Sequence, residues 1–197
     1  MNNCIFSGHC IKEQCDQSCP TLTETTFLLE QNEINFNSGV FHADPTVLAK
    51  YTKIIENTAE RTVQTVIAKN TNTVAELLVY CGICKHWRGS RLSTVVYNLK
   101  LSQYLDSVQN SWSAFANNEK LDYQKIWVDK AKILIISNID YVNFKDFQCQ
   151  TLLKILQSRD KPEFSTIIVS PTTQSLVGSG LFFSRVQEIL SRTTVKA

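Results

Sequence analysis

Two short runs in this chain, "ILII" at 133–136 and "IIV" at 167–169, are apolar at every position. A strand with one wet face alternates apolar and polar side chains. A strand with no polar face must be covered on both sides, which is the condition of a parallel sheet sandwiched between helices. "AKILIISNID", 131–140, holds the strongest strand signal, and "FSTIIVSP", 164–171, reads as a second buried strand ended by Pro171. Between them, "FKDFQCQTLLKILQSR", 144–159, places Phe147, Leu152, Leu153, Ile155 and Leu156 at helical spacing. "ELLVYC", 76–81, is expected to be a further buried strand, followed by a helix over 90–107 and, near the end of the chain, one over 180–191. Strand, helix, strand, helix, strand predicts an α/β fold with a parallel sheet flanked by helices.

Upstream, Asp44 is placed to cap a helix with Pro45 at its first position. Val47, Leu48, Tyr51, Ile54 and Ile55 recur at helical spacing, and Val63, Val66 and Ile67 extend the same stripe until "NTNT", 70–73, breaks it. A short helix is expected over 23–34 and a linker over 35–45. The domain reading is therefore a cysteine-rich N-terminal domain with its linker over 1–40 and the α/β domain over 41–197. The segment 108–125 reads as irregular, with Trp112, Phe115, Tyr123 and Trp127 expected to pack on the sheet.

The first nineteen residues are too polar to bury a core, yet they carry four of the seven cysteines: Cys4, Cys10, Cys15 and Cys19. In a reducing compartment, clustered thiols favour metal over disulfides. The pattern C-x5-C-x4-C-x3-C offers four thiolates to one compact tetrahedral site. Structural zinc is the expected cofactor, ahead of an iron–sulfur cluster, and binding it would supply the folding free energy that the segment lacks. Cys81 and Cys84 form a separate CxxC beside His86. It reads either as a redox or metal half-site or as small apolar packing at a buried position.

A net charge of +2 is too mild to argue for nucleic acid alone. No apolar run approaches the ~20 residues that a membrane span needs. The N-terminus lacks a basic stretch followed by an apolar one, so a cytoplasmic protein with no signal peptide and no membrane partner is expected.

"YCGICKHWRGSRLSTVV", 80–96, occupies the place of a phosphate loop if 76–81 is a strand. A phosphate loop of the G-x-x-x-x-G-K-[ST] kind needs glycines for close backbone approach, a lysine for the outer phosphates and a hydroxyl for Mg²⁺. Here Gly82 and Gly89 have six residues between them rather than four, and Ser90 and Arg91 follow in place of Lys and Ser/Thr. Arg91 is a planar fork, not a point charge. The strand at 133–136 is followed by Ser137 and Asn138 where hydrolysis needs carboxylates, and Asp140 comes two residues late. Both halves of a metal–phosphate site are altered. ATP or ADP binding is in doubt, and an inactive ATPase fold is expected.

The order of these features resembles the phage and Firmicute AAA+ proteins of the DnaC/DnaI helicase-loader type: cysteine cluster, helical linker, "LLVYCG" with its glycines, "ILIISNID", "TLLKILQSRDKPEFSTIIVSP" and "GSGLFFSRVQEIL". The resemblance covers nearly the whole chain and implies a P-loop AAA+-like domain behind a zinc-binding N-terminal domain. It implies that Cys4, Cys10, Cys15 and Cys19 hold the metal. It places the nucleotide site at Gly82, Gly89, Ser90, Arg91 and Arg185, and a polar sensor at Ser170. In "LFFSRV", Leu181 stands where the family usually has its first arginine. The segment before "ILII" is also short for the family, as if one strand or helix were missing.

The function expected from this resemblance is a DNA replication accessory. It would bind a replicative helicase or an active loader subunit, in a hetero-oligomer, without hydrolysing ATP. The alternative is a single-stranded DNA-binding protein, or a scaffold or inhibitor of a mobile element, on an inactive ATPase fold. For DNA, the relevant residues are Lys85, Trp87 and Arg88, since basic groups around an aromatic ring suit phosphate contact with base stacking. His9, His42 and His86 are scattered and build no catalytic constellation.

Overall fold

A computed structural model of the chain describes residues 20–35, 43–57, 63–86, 95–111, 119–172 and 176–195. Helices α1 (Pro20–Gln31) and α2 (Pro45–Asn57) precede the first strand, β1 (Val63–Ile67). Then come α3 (Thr71–His86), β2 (Val96–Lys100), α4 (Leu101–Asn110), α5 (Glu119–Lys130) and β3 (Ile133–Ser137). A 3-10 turn (Ile139–Tyr141) and a two-residue strand, β4 (Asn143–Phe144), lead to α6 (Asp146–Ser158) and β5 (Ser165–Ser170). The chain closes with β6 (Val177–Gly178), α7 (Leu181–Arg192) and β7 (Thr194–Val195).

The main sheet has five strands in the order β2-β3-β5-β1-β7, and all of its pairings are parallel. β4 and β6 form a separate two-stranded parallel pair. The core is in two layers. Val66, Ile135, Ile167 and Val169 point to one face and pack with α1, α2 and α3. Leu134, Ile136, Ile168 and Leu99 point to the other and pack with α4 to α7. This two-sided burial is what the continuous apolar runs of β3 and β5 require. β3 is buried at all five positions.

Several expectations hold. Asp44 caps α2, its Oδ1 accepting from the Thr46 N–H at 2.7 Å, with Pro45 at the first helical position. That hydrogen bonding holds the Asp44 carboxyl below its ordinary pKa. β3, α6, β5 and α7 lie where the patterns place them.

Three expectations need correction. Residues 76–81 are not a strand but the middle of α3. Val63–Ile67 does not continue α2 but forms β1, inside the sheet between β5 and β7. Where a helix is expected over 90–107, the described residues form β2 followed directly by α4. Leu28, Leu29 and Ile34 share one buried cluster with α2 and α3.

Two side chains, Asn32 and Arg159, hydrogen-bond to backbone at the margins of the sheet. Asn32, just past α1, completes the free edge of β2. Its Oδ1 accepts from the Asn98 N–H at 2.6 Å, and its Nδ2 donates to Leu28 O at 2.7 Å and Val96 O at 3.4 Å. Arg159, just past α6, is buried and reaches beneath the sheet. Its Nη1 donates to Val128 O at 2.6 Å, its Nη2 to Ala131 O at 2.8 Å and Ser165 O at 3.0 Å, and its Nε to Thr166 Oγ1 at 3.1 Å.

Candidate functional site

The chain leaves β1 along α3 and crosses one face of the sheet to β2 at the far edge. It leaves β5 along α7 and crosses the opposite face to β7 at the other edge. Right-handed crossovers in opposite directions put their helices on opposite faces. The connections therefore diverge above the carboxyl ends of the neighbouring strands β1 and β5. In an open α/β sheet, such a switch point is where ligands bind.

Three connections meet there. After β1, only Ala68, Lys69 and Asn70 precede α3. The Ala68 N–H donates to Ser170 O at 2.9 Å, tying this turn to β5. Asn70 is the cap of α3, its Oδ1 accepting from the Thr73 N–H at 3.2 Å. A three-residue turn with no glycine cannot wrap a phosphate chain. The Asn70 side chain also occupies one of the amides that an anion would use.

After β3, Ser137 is buried and its Oγ donates to Asn98 Oδ1 at 2.8 Å. Asn138 has the left-handed φ of 57° that turns the chain into the 3-10 turn. Neither residue offers a carboxylate to a divalent cation, and Asp140 lies inside the turn itself. After β5, the Ser170 hydroxyl is folded back onto Thr172 O at 3.3 Å. Ser137 and Ser170 are thus hydrogen-bonded at the strand ends, while Asn138 Oδ1 and Asp140 Oδ1 are buried without a hydrogen-bond partner among the described residues, and Lys69 is exposed in the turn after β1.

The residues expected to bind nucleotide are not gathered at this crevice. Gly82 lies inside α3, where a Cβ would stand 2.7 Å from Val96 Cγ2. Its role there is close helix-to-sheet packing. Arg185 is exposed on α7, and Leu181, at the start of that helix, is 82% exposed. Gly180 before it needs its positive φ of 96° to enter α7. Lys85, expected at a DNA surface, pairs with Glu56 of α2 at 3.5 Å. Gly89, Ser90, Arg91, Trp87 and Arg88 lie outside the described residues, as do Cys4, Cys10, Cys15 and Cys19. Among the described residues, no group of three or more His, Cys, Asp or Glu is placed to hold a metal.

Of the CxxC pair, Cys81 is buried and Cys84 part-buried. Cys81 is buried against α2, with its thiol directed to Leu48 O at 3.6 Å. Burial raises the Cys84 thiol to about 11. A thiol held protonated is not a ready nucleophile at neutral pH. Of the four aromatics expected to pack on the sheet, Trp127 does, stacked on Tyr97 with ring centroids 6.1 Å apart. Tyr123 is instead exposed, and Trp112 and Phe115 lie outside the described residues.

The local sequence signal for the β1 turn is the helix-starting Asn70 after an apolar segment, which "NTNT" contains. Among the described residues, no helix is long and apolar enough to cross a membrane. Compared with protein-family models, with curated proteins and with solved structures, the chain matches none of them.

Proposed function

We propose that this chain is a helicase-loader-like accessory protein of DNA replication, binding a replicative helicase or an active loader subunit without hydrolysing ATP. The sequence resemblance supports the replication half of this reading. The observation that carries the other half is the chemistry of the switch-point crevice. There the turn after β1 is short, glycine-free and closed by Asn70, and β3 ends in Ser137 and Asn138 in place of carboxylates. A protein with that crevice acts by binding. In this reading Cys4, Cys10, Cys15 and Cys19 hold one structural zinc, and the N-terminal segment supplies a partner contact.

The test is recovery of the tagged full chain from its native host. A replicative helicase or active loader in stoichiometric amount, and no ATP turnover by the purified chain, are expected. Recovery of neither, with nucleic acid bound instead, would refute the loader reading in favour of a single-stranded DNA-binding or scaffold protein. Metal analysis of the same preparation should give about one zinc per chain, lost when Cys15 and Cys19 are changed to Ser.

A further inference from the structure

A cavity of about 460 Å³ opens at the β2 edge of the sheet, where the end of α1, β2, α4 and α5 meet. None of the residues of the switch-point crevice lines it, and nothing in the replication reading uses it. Its size falls in the ~300–1,000 Å³ range of small-ligand sites. Rings make up much of its wall. Tyr97 and Trp127 stack on each other with centroids 6.1 Å apart, and Phe27 and Tyr123 line it while 51% and 65% exposed. Such a wall favours a planar ring, through stacking.

One buried amide sets the polarity that the edge of this ring must carry. Asn98 lines the cavity and is 8% exposed. Its backbone N–H donates to Asn32 Oδ1 at 2.6 Å, and its Oδ1 accepts from Ser137 Oγ at 2.8 Å. The second contact orients the amide and leaves Nδ2 donating to none of the described residues. A buried donor without a partner is destabilising, and a ligand acceptor in the cavity would satisfy it. Gln103, exposed on α4, brings a further amide, with both donors and an acceptor, to the same wall.

The charges disfavour an anion. Glu30 and Glu33 stand in the wall against one ammonium, Lys100, which is ion-paired to Glu33. A phosphate or a carboxylate would meet an excess of negative charge. A cationic ring brings donors and leaves the Asn98 amide unmatched, and a purely apolar ring leaves it unmatched as well. The ligand that suits every wall is a planar, uncharged heterocycle with an acceptor on its edge and a donor beside it. That is the edge of a nucleobase, which side-chain amides recognise and on whose faces aromatic rings stack.

We infer that the cavity at the β2 edge binds an uncharged nucleobase, presented as a free nucleoside. The inference rests on neither a helicase nor a loader, and its test uses neither, so it stands or fails apart from the replication reading.

The test is an NMR titration of the full chain, following the Trp127 indole N–H, assigned by its loss in Trp127→Phe. The probes are adenosine, guanosine, cytidine and uridine, the monophosphate and the pentanucleotide of whichever binds most tightly, and N-methylindole, a flat ring with no hydrogen-bonding edge. One nucleoside should bind at least about tenfold more tightly than N-methylindole, and its monophosphate no more tightly than the nucleoside. Tyr123→Ala, a change at an exposed position, should weaken the nucleoside at least about fivefold through loss of one stacking face. Asn98→Asp, which keeps an acceptor for Ser137 and removes the Nδ2 donor, should weaken it at least about tenfold. Gln103→Leu tests the polar edge at an exposed position, without risk to the fold, and should weaken it at least about threefold. No binding by any nucleoside, N-methylindole binding as tightly as the best of them, a monophosphate that binds more tightly, or unchanged affinity in Tyr123→Ala would overturn the site. A pentanucleotide that binds at least about tenfold more tightly than the nucleoside would overturn the free source and assign the base to a single strand.

Discussion

Replacing Arg159 tests the most concentrated set of contacts in the fold. The side chain is 1% exposed and makes four hydrogen bonds of 3.1 Å or shorter, three of them to backbone carbonyls. Val128 O is one of the last four carbonyls of α5, which have no partner within the helix. Ala131 O and Ser165 O flank the starts of β3 and β5. One guanidinium therefore caps a helix and fastens it to two strands. Burial pulls its pKa down to about 10, which leaves it charged at neutral pH.

Two effects oppose each other in Arg159→Met. The guanidinium no longer pays for leaving water, and a thioether side chain fills much of its volume. Against that, two buried carbonyls and the part-buried Ser165 O lose a charged donor. Where a buried ion pair is replaced whole by apolar residues, the exchange is often neutral. Here the acceptors are backbone and stay behind, each costing about 1–3 kcal/mol when left unmatched. The second effect wins, and the expected loss is about 3–5 kcal/mol, the range for removing one partner of a buried charged network. With a urea m-value of about 2 kcal/mol/M, the midpoint should fall by roughly 2 M. Arg159→Lys should recover less than half, because an ammonium cannot span the fork. A midpoint within 0.5 M of the parent's for Arg159→Met, roughly 1 kcal/mol at unchanged m, would refute the reasoning. It would mean that desolvation had cancelled the hydrogen bonds.

Three further outcomes follow from local geometry. Gly82→Ala should destabilise by about 1–2 kcal/mol, since contact with Val96 Cγ2 at 2.7 Å outweighs the gain in helix propensity; a stabilised variant in urea titration would remove the packing role assigned to Gly82. Cys84 keeps its proton in the folded chain after the unfolded chain has lost it, so its contribution to stability is complete below its ordinary pKa of 9.0 and falls as pH rises to about 11; in site-resolved mass spectrometry at pH 8, Cys84 should be alkylated far more slowly in the native chain than in urea, and equal rates would contradict its burial. Asn32→Ala should cost about 2–3 kcal/mol and uncover the β2 edge, with concentration-dependent self-association by light scattering; a variant both stable and monomeric would show that Asn32 does not protect the edge.

The parts of the fold that could be read from sequence are those whose pattern has one physical explanation. β3 and β5 are short, β-branched and bounded by Asn138 and Pro171, and α2 announces itself by Asp44 and Pro45. α3 does not. It lies between the sheet and α2, so Val74, Ala75, Leu77, Leu78, Val79, Cys81 and Ile83 are all buried and no polar stripe marks its period. A helix covered all round and a strand covered on both faces give the same local signal. β1 fails in the opposite direction. Val63, Val66 and Ile67 repeat at helical spacing by coincidence, and Gln64 and Thr65, which are buried, look like a solvated face. In β2, Asn98 breaks the apolar run because its neighbours are Asn32 and Ser137, both distant in sequence.

These exchanges decide what the crevice can be. With β1 misplaced by one element, the glycines at 82 and 89 fall where a phosphate loop belongs and look like a decayed one. With β1 at 63–67, that place passes to Ala68, Lys69 and Asn70, which have no glycine to lose. The ends of β3 and β5 were legible, and they carry Ser137, Asn138 and Ser170 in either reading. The absence of a carboxylate at the strand ends themselves therefore rests on connections of which two survive any error in the third. The cavity at the β2 edge was not legible at all: Gln31, Tyr97 and Gln124 belong to α1, β2 and α5, and only folding the sheet edge between two helices brings them around one space.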